Sequence, residues 1–252
     1  HLLSVRIDEA REETVEPTSN TIDLAGTFRV VLAIPGLFAL ILFSCFNNLL
    51  GGVFMALMDA YGLSLMKVEE WGLLWAVTSC GFILSGALIA RTGLGANPIR
   101  TLLFVCLAEW IIAAFFTIQS SIPLLAIGCF LWLFLGPYAE AAEQTALQKV
   151  VPYERQGRVF GFAQSVELAA SPLTAFLIAP LTQFVFVPFM TDGAGADMIG
   201  DWFGRGPERG IALVFTITGL LGVILTIFAF RSKSYRRISA AYTAGNAAVP
   251  AQ

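Results

Sequence analysis

The sequence predicts an all-α integral membrane protein of six transmembrane helices. Three observations carry that expectation. Apolar residues make up 57% of the 252 residues and charged ones only 13%, against about 45–50% and about 25% in soluble domains. The mean hydropathy is +0.76, and 21 phenylalanines contribute to it. The apolar residues gather in six runs, each near the roughly 20 residues needed to cross a bilayer.

Residues 1–28 are polar and acidic, with Glu12, Glu13 and the turn-like Glu16–Asn20. They read as a cytoplasmic linker, with a short amphipathic piece near Asp23–Arg29 leading into the membrane. The transmembrane domain then covers 29–232. Its first run is about Val30–Leu57, the second Trp71–Ala90, the third Thr101–Ile118 and the fourth Ile122–Gln148. The fifth, Val159–Met190, contains Pro172, Pro180 and Pro188, whose freed backbone groups neighbouring helices can satisfy. Residues 191–210, with Asp192, Gly193, Gly195 and Gly206-Pro207, read as an exposed loop before the sixth run, Ile211–Phe230. The stretch 233–252 reads as a cytoplasmic tail, small, polar and disordered after Tyr235. The chain starts with His1 rather than Met and shows no signal peptide, which reads as a fragment or a processed chain.

Six crossings sort the 15 basic residues by side. Arg6, Arg11, Arg29, Arg91, Arg100, Lys149, Arg155, Arg158, Arg231, Lys233, Arg236 and Arg237 fall on one side; Lys67, Arg205 and Arg209 fall on the other. The positive-inside bias therefore places both termini in the cytoplasm.

Composition also excludes function classes. The net charge of −3 gives no basic surface for nucleic acid. Cys45, Cys80, Cys106 and Cys129 lie within apolar runs without a CxxC, and so read as small buried hydrophobes. The only histidine is His1, so neither a Ser/His/Asp set nor the commonest metal ligand is available inside the chain. No phosphate-binding GxxxxGK[ST] occurs. No cofactor and no enzymatic activity is expected, and Glu140 and Glu143, one helical turn apart near an interface, make a poor acid–base pair.

What remains is polar chemistry inside apolar helices, where an unpaired charge costs several kcal/mol. Ser44, Asn47 and Asn48 fall near the middle of the first run, followed by Gly51 and Gly52. They read either as a cavity-lining patch or as an interhelical hydrogen-bond contact. Glu109 lies nine residues past Arg100, about 13 Å deep in a helix. It reads either as a proton-binding carboxyl or as a neutral one hydrogen-bonded to another helix. Glu140, about 27 Å along the helix from Ile122, sits near the cytoplasmic interface with Glu143 and Gln144. There it is hydrated or paired with Arg155 or Arg158, as part of a cytoplasmic gate. In the fifth run Gln164, Glu167, Ser171 and Thr174 recur on one helical face, which must meet protein or a water-filled cavity rather than lipid. Glu167, nine residues past Arg158, reads either as the foremost candidate for a coupling or substrate carboxylate, with Glu109 second, or as a satisfied interhelical hydrogen bond. Gln164 and Ser171 join the expected cavity lining.

Two motifs carry a family resemblance. Leu147-Gln148-Lys149-Val150-Val151-Pro152, continued by Gln156-Gly157-Arg158-Val159-Phe160, resembles the loop between helices ten and eleven of major facilitator superfamily transporters. Gly86 through Arg91 and Gly93 resembles a degenerate second copy of that superfamily's GxxxDRxG loop, with Ala90 standing where the acid would be. Over roughly residues 22–238 the chain resembles the C-terminal half of such a transporter. The similar group is bacterial and includes macrolide-efflux-like and enterobactin-exporter-like proteins.

The resemblance implies one six-helix half of an alternating-access bundle in a bacterial inner membrane. The first and fourth helices would line the cavity, the second and fifth would gate it, and the third and sixth would be peripheral. It further implies a proton-coupled exporter of a bulky amphipathic drug or siderophore-like molecule. The implied partners are that small molecule, protons, the lipid bilayer, and the missing N-terminal half in the same or another chain. A membrane scaffold or regulatory subunit that keeps the fold without transport is the alternative, for which the departure at Ala90 leaves room.

Overall fold

The structure is a computed structural model that describes residues 24–247. Every element in it is helical, and six segments are long and apolar enough to cross a membrane among the described residues. Residues 1–23 and 248–252, which hold most of the expected linker and the end of the expected tail, lie outside the described residues.

Helix α1 (Leu24–Ala33) contains the expected amphipathic piece but runs on into the expected first span. It stops where Pro35 can no longer donate a backbone N–H. Gly36 then turns the chain with φ +85° into α2 (Leu37–Leu65), so the first crossing starts later and ends later than expected. The extension carries Asp59 and Tyr61. Asp59 accepts a hydrogen bond from Trp71 Nε1 at 3.0 Å, which gives the acid a partner at the end of the span.

The second crossing consists of two helices, α3 (Val68–Thr78) and α4 (Cys80–Thr92), joined at Ser79. Thr78 and Ser79 donate their hydroxyls back to Leu74 O and Ala76 O at 2.8 Å each, a pattern that bends helices. Helix α5 (Pro98–Phe115) starts on an Asn97 side-chain cap, and α6 (Ile122–Val150) starts on a Ser121 cap; each has proline in its first turn, where none of its hydrogen bonds is missed.

Three expectations about connecting segments fail. The stretch Glu154–Arg158, expected as part of the loop between the fourth and fifth runs, is helical, because α7 (Tyr153–Leu181) begins directly after Pro152. Gln156 holds the corner by donating to Gln148 O at 2.7 Å and Val151 O at 3.1 Å. The fifth crossing continues through a π turn at Thr182–Phe186 into α8 (Val187–Thr191). The expected exposed loop at 191–210 instead contains α9 (Ala194–Phe203), which buries Ala196, Gly200 and Phe203. Small residues spaced to one face and closed by Phe203 make a short helix that packs down. Helix α10 (Pro207–Arg231) is the sixth crossing. The tail after Tyr235 also folds, into α11 (Lys233–Ala247), because Ile238 and Tyr242 share one helical face and bury it.

In the bundle, α2 lies along α7, α5 lies between α6 and α10, and α4 lies against α6. The third crossing, α5, presses one face into the bundle, with Cys106 and Trp110 each 1% exposed. Glycines set the closest approaches. A Cβ at Gly52 would stand 2.9 Å from Ser171 O on α7. One at Gly219 on α10 would stand 2.4 Å from the Ala114 backbone nitrogen.

Candidate functional site

The polar residues of the first, third, fourth and fifth crossings converge. Ser44 of α2 is buried and donates its hydroxyl to Glu143 Oε1 of α6. Glu167 of α7 lies close to Glu143, and its Oε1 is buried without a hydrogen-bond partner among the described residues. Cys45 Sγ, beside Ser44, faces Val166 O at 3.8 Å and keeps α2 against α7 at this level. Glu109 of α5 is 5% exposed, and its Oε1 points at Gly136 of α6, 3.9 Å from where a Cβ there would stand. Cys106, one turn before Glu109, is buried on the same helix. Glu143 of α6 and Glu167 of α7 thus form a carboxyl pair beside Ser44 of α2, and Glu109 is buried separately on α5.

Asn47 and Asn48 continue the polar face along α2. Asn48 Nδ2 donates to Ser44 O at 3.0 Å, and Asn47 Oδ1 accepts from Trp110 Nε1 of α5 at 2.8 Å. Beyond them opens a cavity of about 450 Å³, bounded by α2, α3, α5, α6 and α7. Its wall is apolar and aromatic, including Met55, Met58, Trp75, Phe116 and Trp132, while Asn47, Asn48, Asp59 and Ser171 supply the polar atoms. Phe54 stacks on Trp132 at 5.5 Å and on Phe215 at 4.7 Å, and Trp110 meets Trp132 edge-on at 5.4 Å. These rings give the wall a fixed shape.

The expected site residues divide. Asn47, Asn48 and Ser171 border the cavity. Ser44 sits on the carboxyl cluster, and Gln164 is exposed on α7 away from the cavity lining. The expected gate set also separates. Glu143 belongs to the half-buried carboxyl pair, whereas Glu140 is exposed and accepts from Gln144 Nε2 at 3.1 Å. Arg155 and Arg158 are exposed, and neither forms an ion pair among the described residues.

Sequence reasoning missed Asp59, Trp75 and Trp132 in the cavity wall, and it missed Arg209. That arginine is 1% exposed at the end of the bundle opposite the basic cluster. It donates to Ile118 O at 2.8 Å, Ser120 Oγ at 3.3 Å and the Tyr61 hydroxyl at 3.4 Å, and lies 4.2 Å over the Phe203 ring. One side chain thereby ties α2, the α5–α6 connection, α9 and α10. Its only sequence signal was a basic residue beside a run that otherwise lacks charge.

No family model, no curated protein and no solved structure matches the chain. The helices and their apolar lengths decide what can be said of its class. The chain is a multi-pass membrane protein. Among the described residues of this membrane protein, no group of three or more His, Cys, Asp or Glu side chains could hold a metal ion, and all four cysteines are free.

Proposed function

We propose that the chain is one half of a secondary active transporter, of the major facilitator type, that exports a bulky amphipathic molecule by coupling to protons. The observation that carries this reading is the join between the carboxyl cluster and the cavity. Glu143 and Glu167 approach one another where α6 and α7 meet α2, and the same face of α2 leads through Asn47 and Asn48 into an aromatic cavity of about 450 Å³. A proton between the two carboxyls holds α6 to α7; losing it leaves like charges in a poorly solvated place, which favours separation. Separation widens the cavity, and that is the coupling an alternating-access cycle needs. The aromatic and methionine lining suits an amphipathic guest that varies in shape.

The proposal includes a companion six-helix half, in the same or another chain, to close the pathway. It also includes a bacterial inner membrane and cytoplasmic termini, supported by the uneven distribution of Lys and Arg. The second reading, a scaffold or regulatory subunit without transport, is favoured by Ala90 at the position of the motif's acid.

The test is efflux of a fluorescent amphipathic dye from vesicles holding the chain with its companion half. Efflux that appears on imposing a pH gradient and stops with a protonophore supports the transporter. Dye retention at every gradient, with the protein folded, supports the scaffold reading.

A further inference from the structure

The last acidic residue of the chain is Glu208, and Arg231, Lys233, Arg236 and Arg237 all follow it. Helix α11 leaves α10 after a single residue, Ser232. It is pinned along one face. Ile238 and Tyr242 are buried, Ser239 Oγ accepts from Asn97 Nδ2 at 2.6 Å, and the Lys149 ammonium sits 5.0 Å over the Tyr242 ring. Gly36 allows this approach, since a Cβ there would stand 2.7 Å from Ser234 O.

The opposite face holds Lys233, Arg236 and Arg237, all exposed and spaced i, i+3, i+4 on one side of the helix. None of them forms an ion pair among the described residues. Aromatic rings run from this helix to the neighbouring crossings: Tyr235 meets Phe230 at 5.6 Å, and Phe230 meets Phe104 at 5.0 Å. Arg100 lies 5.3 Å over Phe104. Aromatic rings below a row of cations are the arrangement of a membrane interface.

We propose that the exposed face of α11 binds the headgroups of anionic phospholipids, with Lys233, Arg236 and Arg237 contacting phosphate and the Tyr235–Phe230–Phe104 rings set at the acyl boundary. Charge complementarity selects the occupant. The face has three unpaired cations, no acid on its own helix, and a one-residue tether that keeps it at the membrane boundary, where phosphates are the abundant anions. Cations so placed each give roughly a five-fold preference for an anionic surface, so three give roughly a hundredfold at low salt. The docked face ties lipid binding to the inner ends of α2, α5 and α6.

The test adds phosphatidylglycerol or phosphatidylcholine to the full chain in neutral detergent micelles, at low and high salt. Thermal unfolding and native mass spectrometry are the readouts. Phosphatidylglycerol should raise the midpoint by several degrees and remain bound, phosphatidylcholine should do neither, and high salt should remove most of the difference. The Lys233→Gln/Arg236→Gln/Arg237→Gln variant should lose the preference, and Arg236→Lys/Arg237→Lys should keep it. Equal effects of the two lipids, or full retention of phosphatidylglycerol by the triple variant, would overturn the proposal. So would an acidic peptide that displaces the lipid at equal concentration, which would assign the face to a protein partner. The salt titration of the unaltered chain reads the same claim if the triple variant does not fold.

Discussion

At the scale of single residues, the buried polar side chains divide into two kinds with different expected behaviour. Arg209 is structural. Its partners are neutral oxygens and a ring, on three segments besides its own helix. Arg209→Ala leaves Ile118 O and the Tyr61 hydroxyl short of a donor, at about 1–3 kcal/mol per orphaned group. We expect a lower unfolding midpoint, with Arg209→Lys recovering only part of it because an ammonium lacks the planar fork. An Ala variant as stable as the unaltered chain would remove Arg209 from this role. Glu143 and Glu167 are the other kind. Replacing Glu167 with Gln supplies a permanent donor to Glu143 at nearly constant shape, so stability should be kept while proton dependence is lost. Glu167 was legible in the sequence because its polar stripe recurred at helical spacing. Its companion Glu143 was singled out too, but as part of a gate at the interface. Nothing in the spacing from residue 143 to 167 says that the two carboxyls meet, since the meeting depends on how α6 and α7 cross.

At the scale of elements, close approach through glycine decides how α2 and α7 fit together. Gly51 and Gly52 are adjacent in sequence and opposite in environment. A Cβ at Gly52 meets the Ser171 backbone at 2.9 Å, whereas one at Gly51 meets nothing within 4 Å. Gly52→Ala should therefore cost about 1–3 kcal/mol by overpacking. Gly51→Ala should be neutral or slightly stabilising in thermal unfolding, because alanine favours the helix. Equal effects would mean that α2 and α7 do not cross here. The six crossings were readable from composition alone, because length and hydropathy suffice when lipid is the solvent. The helices α9 and α11 were not. Their burial depends on a few residues, Phe203 in one and Ile238 with Tyr242 in the other, scattered among small and polar ones that resemble loop composition. The bends at Pro35-Gly36 and Ser79 likewise sit inside apolar runs that read as continuous.

At the scale of the whole molecule, orientation and coupling are the two claims. Orientation follows from the distribution of Lys and Arg. Asp192 and Thr243 are exposed at opposite ends of the bundle by that count. Single cysteines at these positions, probed in intact cells with a membrane-impermeant maleimide, should label differently. Asp192→Cys should react at once, and Thr243→Cys only after permeabilisation. The reverse pattern would invert the topology and move α11 to the outer leaflet.

Coupling rests on the carboxyl cluster being continuous with the cavity. The measurement that bears on it most directly is dye efflux under an imposed pH gradient, comparing Glu167→Gln with the unaltered chain, each beside its companion half and at equal protein level. Glu167→Gln should still bind the dye, read by fluorescence, while efflux no longer responds to the gradient. Gradient-driven efflux at the unaltered rate would contradict it.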